Sequence, residues 1–203
     1  MLDAYKKITH SIVNTVNALS RPTNKTIDAL VSRVKRKQFL DDLSFAGQQR
    51  IVTGTLSEAS IRLGKEYLLS ASQGKHLVNL RDDDLDVYSI VSNWTLKRST
   101  PPNHILWHQK VYQLTLAQAV LLCHPIHVFK MWTEFNKVQE SGSSGSFTLA
   151  DDFLVCQEGE IDQHLLLHEF LLIPGQGLLV WGKNLQEMTS KIEEVDWICA
   201  LNL

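Results

Sequence analysis

The chain has 203 residues, 44% of them hydrophobic and 21% charged, with a formal net charge of −2. That length suits one domain with a substantial core, and the balanced charge gives no global drive toward nucleic acid or an acidic membrane surface. No apolar run reaches the roughly 18–20 residues of a membrane-spanning helix, and residues 1–7 lack the apolar core of a signal peptide. The three cysteines, Cys123, Cys156 and Cys199, are widely spaced in apolar contexts. They are expected to be reduced, buried thiols, which implies a cytoplasmic protein.

Apolar positions Tyr5, Ile8, Ile12, Val16 and Leu19 predict a helix over 3–19, broken at Arg21-Pro22. Residues 1–24 are thus expected to form an N-terminal helical extension. A second helix is expected over 26–45, with Ile27, Leu30, Val31, Val34 and Leu43 on one face and Gly47 ending it or following it closely. Its basic run Arg33-Val34-Lys35-Arg36-Lys37 reads first as a solvated face and second as a contact for a phosphate or an anionic partner. Strands are expected near 51–55, 66–70 and 85–90, and a helix over 103–112. Ala119-Val120-Leu121-Leu122-Cys123 is a continuous apolar run with the length of a buried strand. A helix follows from Pro125 to about 138, and Ser141-Gly142-Ser143-Ser144-Gly145-Ser146 has the composition of a flexible loop.

The segment 171–184 predicts an apolar strand interrupted at a Pro-Gly turn. A helix then begins at Asn184, with Glu187 placed as in a capping box. Trp107, Trp132, Trp181 and Trp197 lie in periodic apolar segments and are expected in the core, with a subunit interface as the second choice. Helices interspersed with strands imply an α/β or α+β sandwich.

Several blocks, in order from Arg50 to the C-terminus, resemble the class II aldolase/adducin family. Gly54-Thr55-Leu56-Ser57 is similar to its Gly-Asn-Leu-Ser turn. Ser70-Ala71-Ser72-Gln73-Gly74-Lys75 is similar to its Thr-Pro-Ser-Gly loop. Leu122-Cys123-His124-Pro125 is similar to its His-Thr-His-Pro block. The run from Gly177 to Gly182 closes the series. The resemblance implies one domain over 1–203, an α/β/α sandwich whose central sheet is mostly antiparallel. It also implies a homo-oligomer, a tetramer by family habit, with the active site at the subunit boundary.

Active members use a divalent metal, usually zinc, held by three imidazoles, to polarise a sugar phosphate. Carried over residue by residue, the three ligands fall on Leu122, His124 and Gln176, so only His124 keeps an imidazole. The acid/base glutamate falls on His104, the candidate catalytic residue. The paired serines fall on Pro102 and Asn103, and the asparagine of the first phosphate turn falls on Thr55. Thr55, Ser70, Ser72, Gly74 and Asn103 are the candidate ligand-binding residues. One imidazole is too few for zinc, so no cofactor is expected. The pairs His104/His108 and His164/His168, each four residues apart on an expected helix, are the alternative, a rewired site for zinc or another divalent ion.

The functional expectation is therefore a binding or assembly module that has lost sugar-phosphate lyase activity. The competing reading is an active metal-dependent aldolase or dehydratase. A small phosphorylated ligand is the candidate small molecule; no nucleic-acid partner and no membrane insertion are expected.

Overall fold

The computed structural model describes residues 31–52, 54–97, 99–140 and 154–203. The helix expected over 3–19, the start of the one expected over 26–45 and the Ser/Gly loop at 141–146 lie outside them. A seven-stranded sheet has the order β3-β2-β1-β4-β7-β6-β5. Its strands are β1 (Glu58–Leu63), β2 (Tyr67–Ala71), β3 (Leu85–Ser89), β4 (Ala119–Cys123), β5 (Leu154–Val155), β6 (Phe170–Ile173) and β7 (Gly177–Gly182). All neighbours pair antiparallel except β5 with β6. The helices are α1 (Arg33–Gln48), α2 (Ile105–Leu114), α3 (Ile126–Glu140), α4 (Ile161–His164) and α5 (Leu185–Leu201).

The apolar run of β4 has a direct cause. This strand is central, pairing with β1 on one side and β7 on the other, and all five residues are buried. Alternation sends Val120 and Leu122 into a core with Ile105, Trp107, Val111 and Tyr112 of α2 and Ile161 of α4. On the opposite face α5 lies over β4 and β7, with α1 and α3 packed against it. Asn184 caps α5 by accepting a hydrogen bond from the Glu187 amide at 2.7 Å. Asp196 of α5 in turn caps α3, accepting from the amides of His127 and Val128 at 2.8 and 3.1 Å.

Four sequence expectations are corrected. The segment 51–55 is not a strand. Arg50 and Gly54 take positive φ of 60° and 62°, which turns the chain, and Ile51 and Val52 are buried as loop residues. Within the described residues the second helix begins at Arg33 and runs past Phe45 to Gln48. Gly47 is its second-last residue, and a Cβ there would fall 2.4 Å from Val78 Cγ2, so a side chain at this position would have to displace Val78. His164 ends α4, while His168 lies beyond a turn, so the two do not share a helix. Trp107 and Trp181 are buried as expected, but Trp197 is 63% exposed on α5.

Candidate functional site

Strand β1 reads Glu-Ala-Ser-Ile-Arg-Leu, polar and apolar in strict alternation. Its polar residues Glu58, Ser60 and Arg62 all meet α2. Arg62 donates from Nε to Ala117 O at 2.8 Å, and from its terminal nitrogen to Thr115 O at 3.1 Å and to Tyr112 O, so its cation sits at the helix C-terminus. Ser60 Oγ lies 2.7 Å from His108 Nδ1 and 2.9 Å from Tyr112 Oη. Glu58 meets the N-terminus. Its Oε2 accepts the His104 amide at 3.0 Å, and its Oε1 lies 3.3 Å from His104 Nδ1.

His104 is the residue immediately before α2. Its Nε2 lies 3.1 Å from Gln176 Oε1, in the turn between β6 and β7. The main-chain oxygen of Gln176 lies 2.8 Å from Nε2 of His124, which follows β4. Gln176 thus spans two imidazoles, one through each carbonyl. Gly177 makes this approach feasible. Its φ is +147°, and a Cβ there would meet Leu122 Cδ1 at 2.8 Å and His124 Nε2 at 3.3 Å.

Electrostatics follow from these contacts. Burial alone pushes the Glu58 carboxyl up, but the bonds from His104 and the neighbouring imidazoles reverse this and leave it below the ordinary value. The bond to Glu58 raises His104 against its own burial. Burial lowers His124. It also holds His108, entirely enclosed, down to about 4, against the pull of Glu58. His108 Nε2 is 3.9 Å from Glu58 Oε2 and, among the described residues, has no hydrogen-bond partner, nor has His124 Nδ1.

A metal does not fit these residues. Leu122 is fully buried in the α2-side core. His124 turns its Nε2 onto a backbone carbonyl, and its ring stacks on Phe129 with centroids 5.5 Å apart. Among the described residues no group of three His, Cys, Asp or Glu side chains is arranged to hold an ion.

Four of the five expected ligand-binding residues, all but Asn103, fall into a neighbouring cleft. Thr55, Ser70, Ser72, Gly74 and Pro102 line it, together with Glu58, Gln73 and Lys75. Several of its donors already have acceptors in the protein. Ser70 donates to Ala59 O at 2.6 Å and Ser72 to Asp84 O at 3.3 Å, and Lys75 Nζ lies 2.6 Å from Asp84 Oδ1. Asn103 is exposed and accepts from the Gln73 amide. Glu58 belongs to both places, walling the cleft and holding His104. Sequence reasoning passes over Glu58, because it puts a strand at 51–55 and misses the alternation that begins at residue 58.

The model of the class II aldolase and adducin N-terminal domain matches residues 43–203. This chain belongs to that family. Solved structures of similar fold include YgbL of Klebsiella pneumoniae, at 18% identity and a TM-score of 0.66 over 82% of this chain and 86% of that one. L-fuculose-1-phosphate aldolase of Thermus thermophilus matches at 17% identity and 0.60, over 81% and 93%. A sugar-phosphate aldolase of Thermotoga maritima matches at 13% and 0.61, over 83% and 94%. Among curated proteins, no sequence matches the chain. At these identities the structural likeness establishes the aldolase-type fold; the chemistry has to be argued from the side chains.

Proposed function

We propose that this class II aldolase-family chain has lost metal-dependent sugar-phosphate lyase chemistry and serves as a binding or assembly module in the cytoplasm. The observation that carries the reading is Gln176. It stands at a ligand position of the family pattern and engages both nearby imidazoles through its carbonyl oxygens. Polarising a carbonyl by a Lewis acid needs a cation held by several donors with one position open. Here the donors are turned toward one another instead.

The cleft beside the site supports the same reading. An incoming phosphate would meet the Glu58 carboxylate, and Lys75 is already paired with Asp84. The surface supports assembly into a homo-oligomer. Leu116 is 94% exposed, and Leu166 and Leu167 are each more than 70% exposed. Apolar side chains this prominent are cheaper to bury at a subunit interface than to hydrate.

The test is a cleavage assay on the full chain, supplied with zinc and L-fuculose 1-phosphate, run beside a sedimentation measurement. The expected result is no cleavage above background and a species larger than the monomer. Turnover in the ordinary enzymatic range of roughly 1–10³ s⁻¹, abolished by His124→Ala, would instead identify an active lyase with a relocated metal site. A purely monomeric chain would remove the assembly half of the reading.

A further inference from the structure

A second pair of imidazoles lies at the end of the sheet remote from His124. His164 closes α4 and His168 stands just ahead of β6, whereas Gln176 follows the other end of that strand. The two histidines do not share a regular helix, yet the chain keeps turning between them. The amides of Leu167 and His168 both return to His164 O, at 3.0 and 3.2 Å. This brings the two rings to a centroid separation of 6.1 Å. Both residues are half-buried, and among the described residues no hydrogen bond engages either ring. Two imidazoles on one zinc ion in tetrahedral geometry have centroids roughly 5 Å apart. A small swing of the side chains closes that gap.

We propose that His164 and His168 are one half of a zinc site that a second copy of this chain completes, so that the ion bridges two copies at this end of the sheet. A closed zinc site takes four ligands in a tetrahedron. One chain offers two here. The carboxylates beside them in sequence are held by cations: Asp162 by Lys110 at 2.7 Å, and Glu169 by Lys191 at 2.8 Å. Among the described residues no third His, Cys, Asp or Glu joins the pair. A two-fold axis through the ion supplies the same two side chains again and brings the set to four. Such an isologous contact needs only one self-complementary patch.

The surroundings fit a second copy. Leu166 and Leu167, between the two histidines, are exposed. Leu116 emerges at the same end. Gln118 donates its amide to Gly182 O at 2.8 Å, and Trp181 donates to Glu169 O at 3.2 Å, so residues 118, 182 and 169 form one row across β4, β7 and β6. Leu116 and Leu167 each stand two residues before this row, on strands roughly 10 Å apart. Apolar side chains pressed together around the ion would leave water and exclude it from the metal. Half a site in each chain grips zinc weakly, so the bridge fills from added metal rather than persisting through purification. A dimer formed here leaves the cleft beside Glu58 open at the other end of the sheet.

The inference rests on the assembly half of the reading above, and the two fail separately. The experiment is sedimentation of the full chain in chelator and across a zinc titration, with cobalt(II) as a spectroscopic stand-in. The expected result is association that grows with zinc and levels off at one ion per two chains, with the visible bands of tetrahedral cobalt(II) in the dimer. His164→Ala and His168→Ala should each weaken the zinc-driven association by about tenfold or more. His76→Ala, which removes an exposed imidazole elsewhere, should not. Should an alanine variant fail to fold, His168→Gln, which keeps the bulk and polarity of the side chain, carries the test. An assembly equally large in chelator and in zinc would overturn the bridge and leave the assembly reading standing. Zinc-driven association that survives the substitutions at 164 and 168 would overturn the bridge as well. A chain that stays monomeric at every zinc concentration would overturn both.

Discussion

The two ends of β1 meet the two ends of α2 with opposite charge. At one end Arg62 donates to carbonyls at and beyond the last turn of α2; at the other Glu58 accepts the amide of the residue before the first. Both charges sit where the helix dipole favours them. Their surroundings differ. Arg62 is spent on backbone oxygens and on the Tyr112 ring, 4.9 Å away. Glu58 is spent on side chains that titrate, and it also walls the cleft. A charge bonded to backbone fixes a fold. A charge bonded to imidazoles fixes a fold and sets the protonation of a site.

The largest expected effect is at the Arg62 end. Arg62→Ala should destabilise the domain by about 3 kcal/mol, because it strands partly buried carbonyls and removes a helix-end cation. Chemical denaturation would show this as a loss nearly constant across pH 5–8. A loss with a pH midpoint near neutrality would break the contrast between the two ends.

The next effect is pH-dependent and belongs to the Glu58 end. Folded His108 titrates at about 4 against 6.5 unfolded, so the unfolded chain binds its proton first and stability falls as pH drops through that window. The full term is about 3 kcal/mol. His104 opposes it: its raised value contributes stability that is fully present below 6.5 and fades as pH rises through the folded value. Glu58, lowered, holds its contribution until pH falls through its own folded value, below 4.5. The His108 contribution alone should therefore cost about 2–3 kcal/mol of stability between pH 6.5 and 4. His108→Gln should flatten that slope. A slope unchanged in this variant would mean that the buried imidazole is not its source.

The same contrast explains what can be read from the sequence. The apolar run at 119–123 and the Pro-Gly turn before Gly177 carry their burial in their composition, and the structure places both as expected. β1 escapes such a reading because half its residues are polar, and they are polar because they face a helix that itself presents His108 and Tyr112 inward. Local pattern cannot reveal a partner 48 residues away. At the site, the order of the family-like blocks points to His104, His124 and Gln176. Their mutual hydrogen bonds join positions up to 72 residues apart and exist only in the fold. Nothing in the family pattern points to Glu58, the carboxylate that reorganises the site.

The most direct measurement is the zinc content of the full chain, purified without chelator and without added metal. The account predicts far less than one ion per chain, unchanged in a His104→Ala/His124→Ala double variant. Near-stoichiometric zinc that disappears in that variant would contradict it.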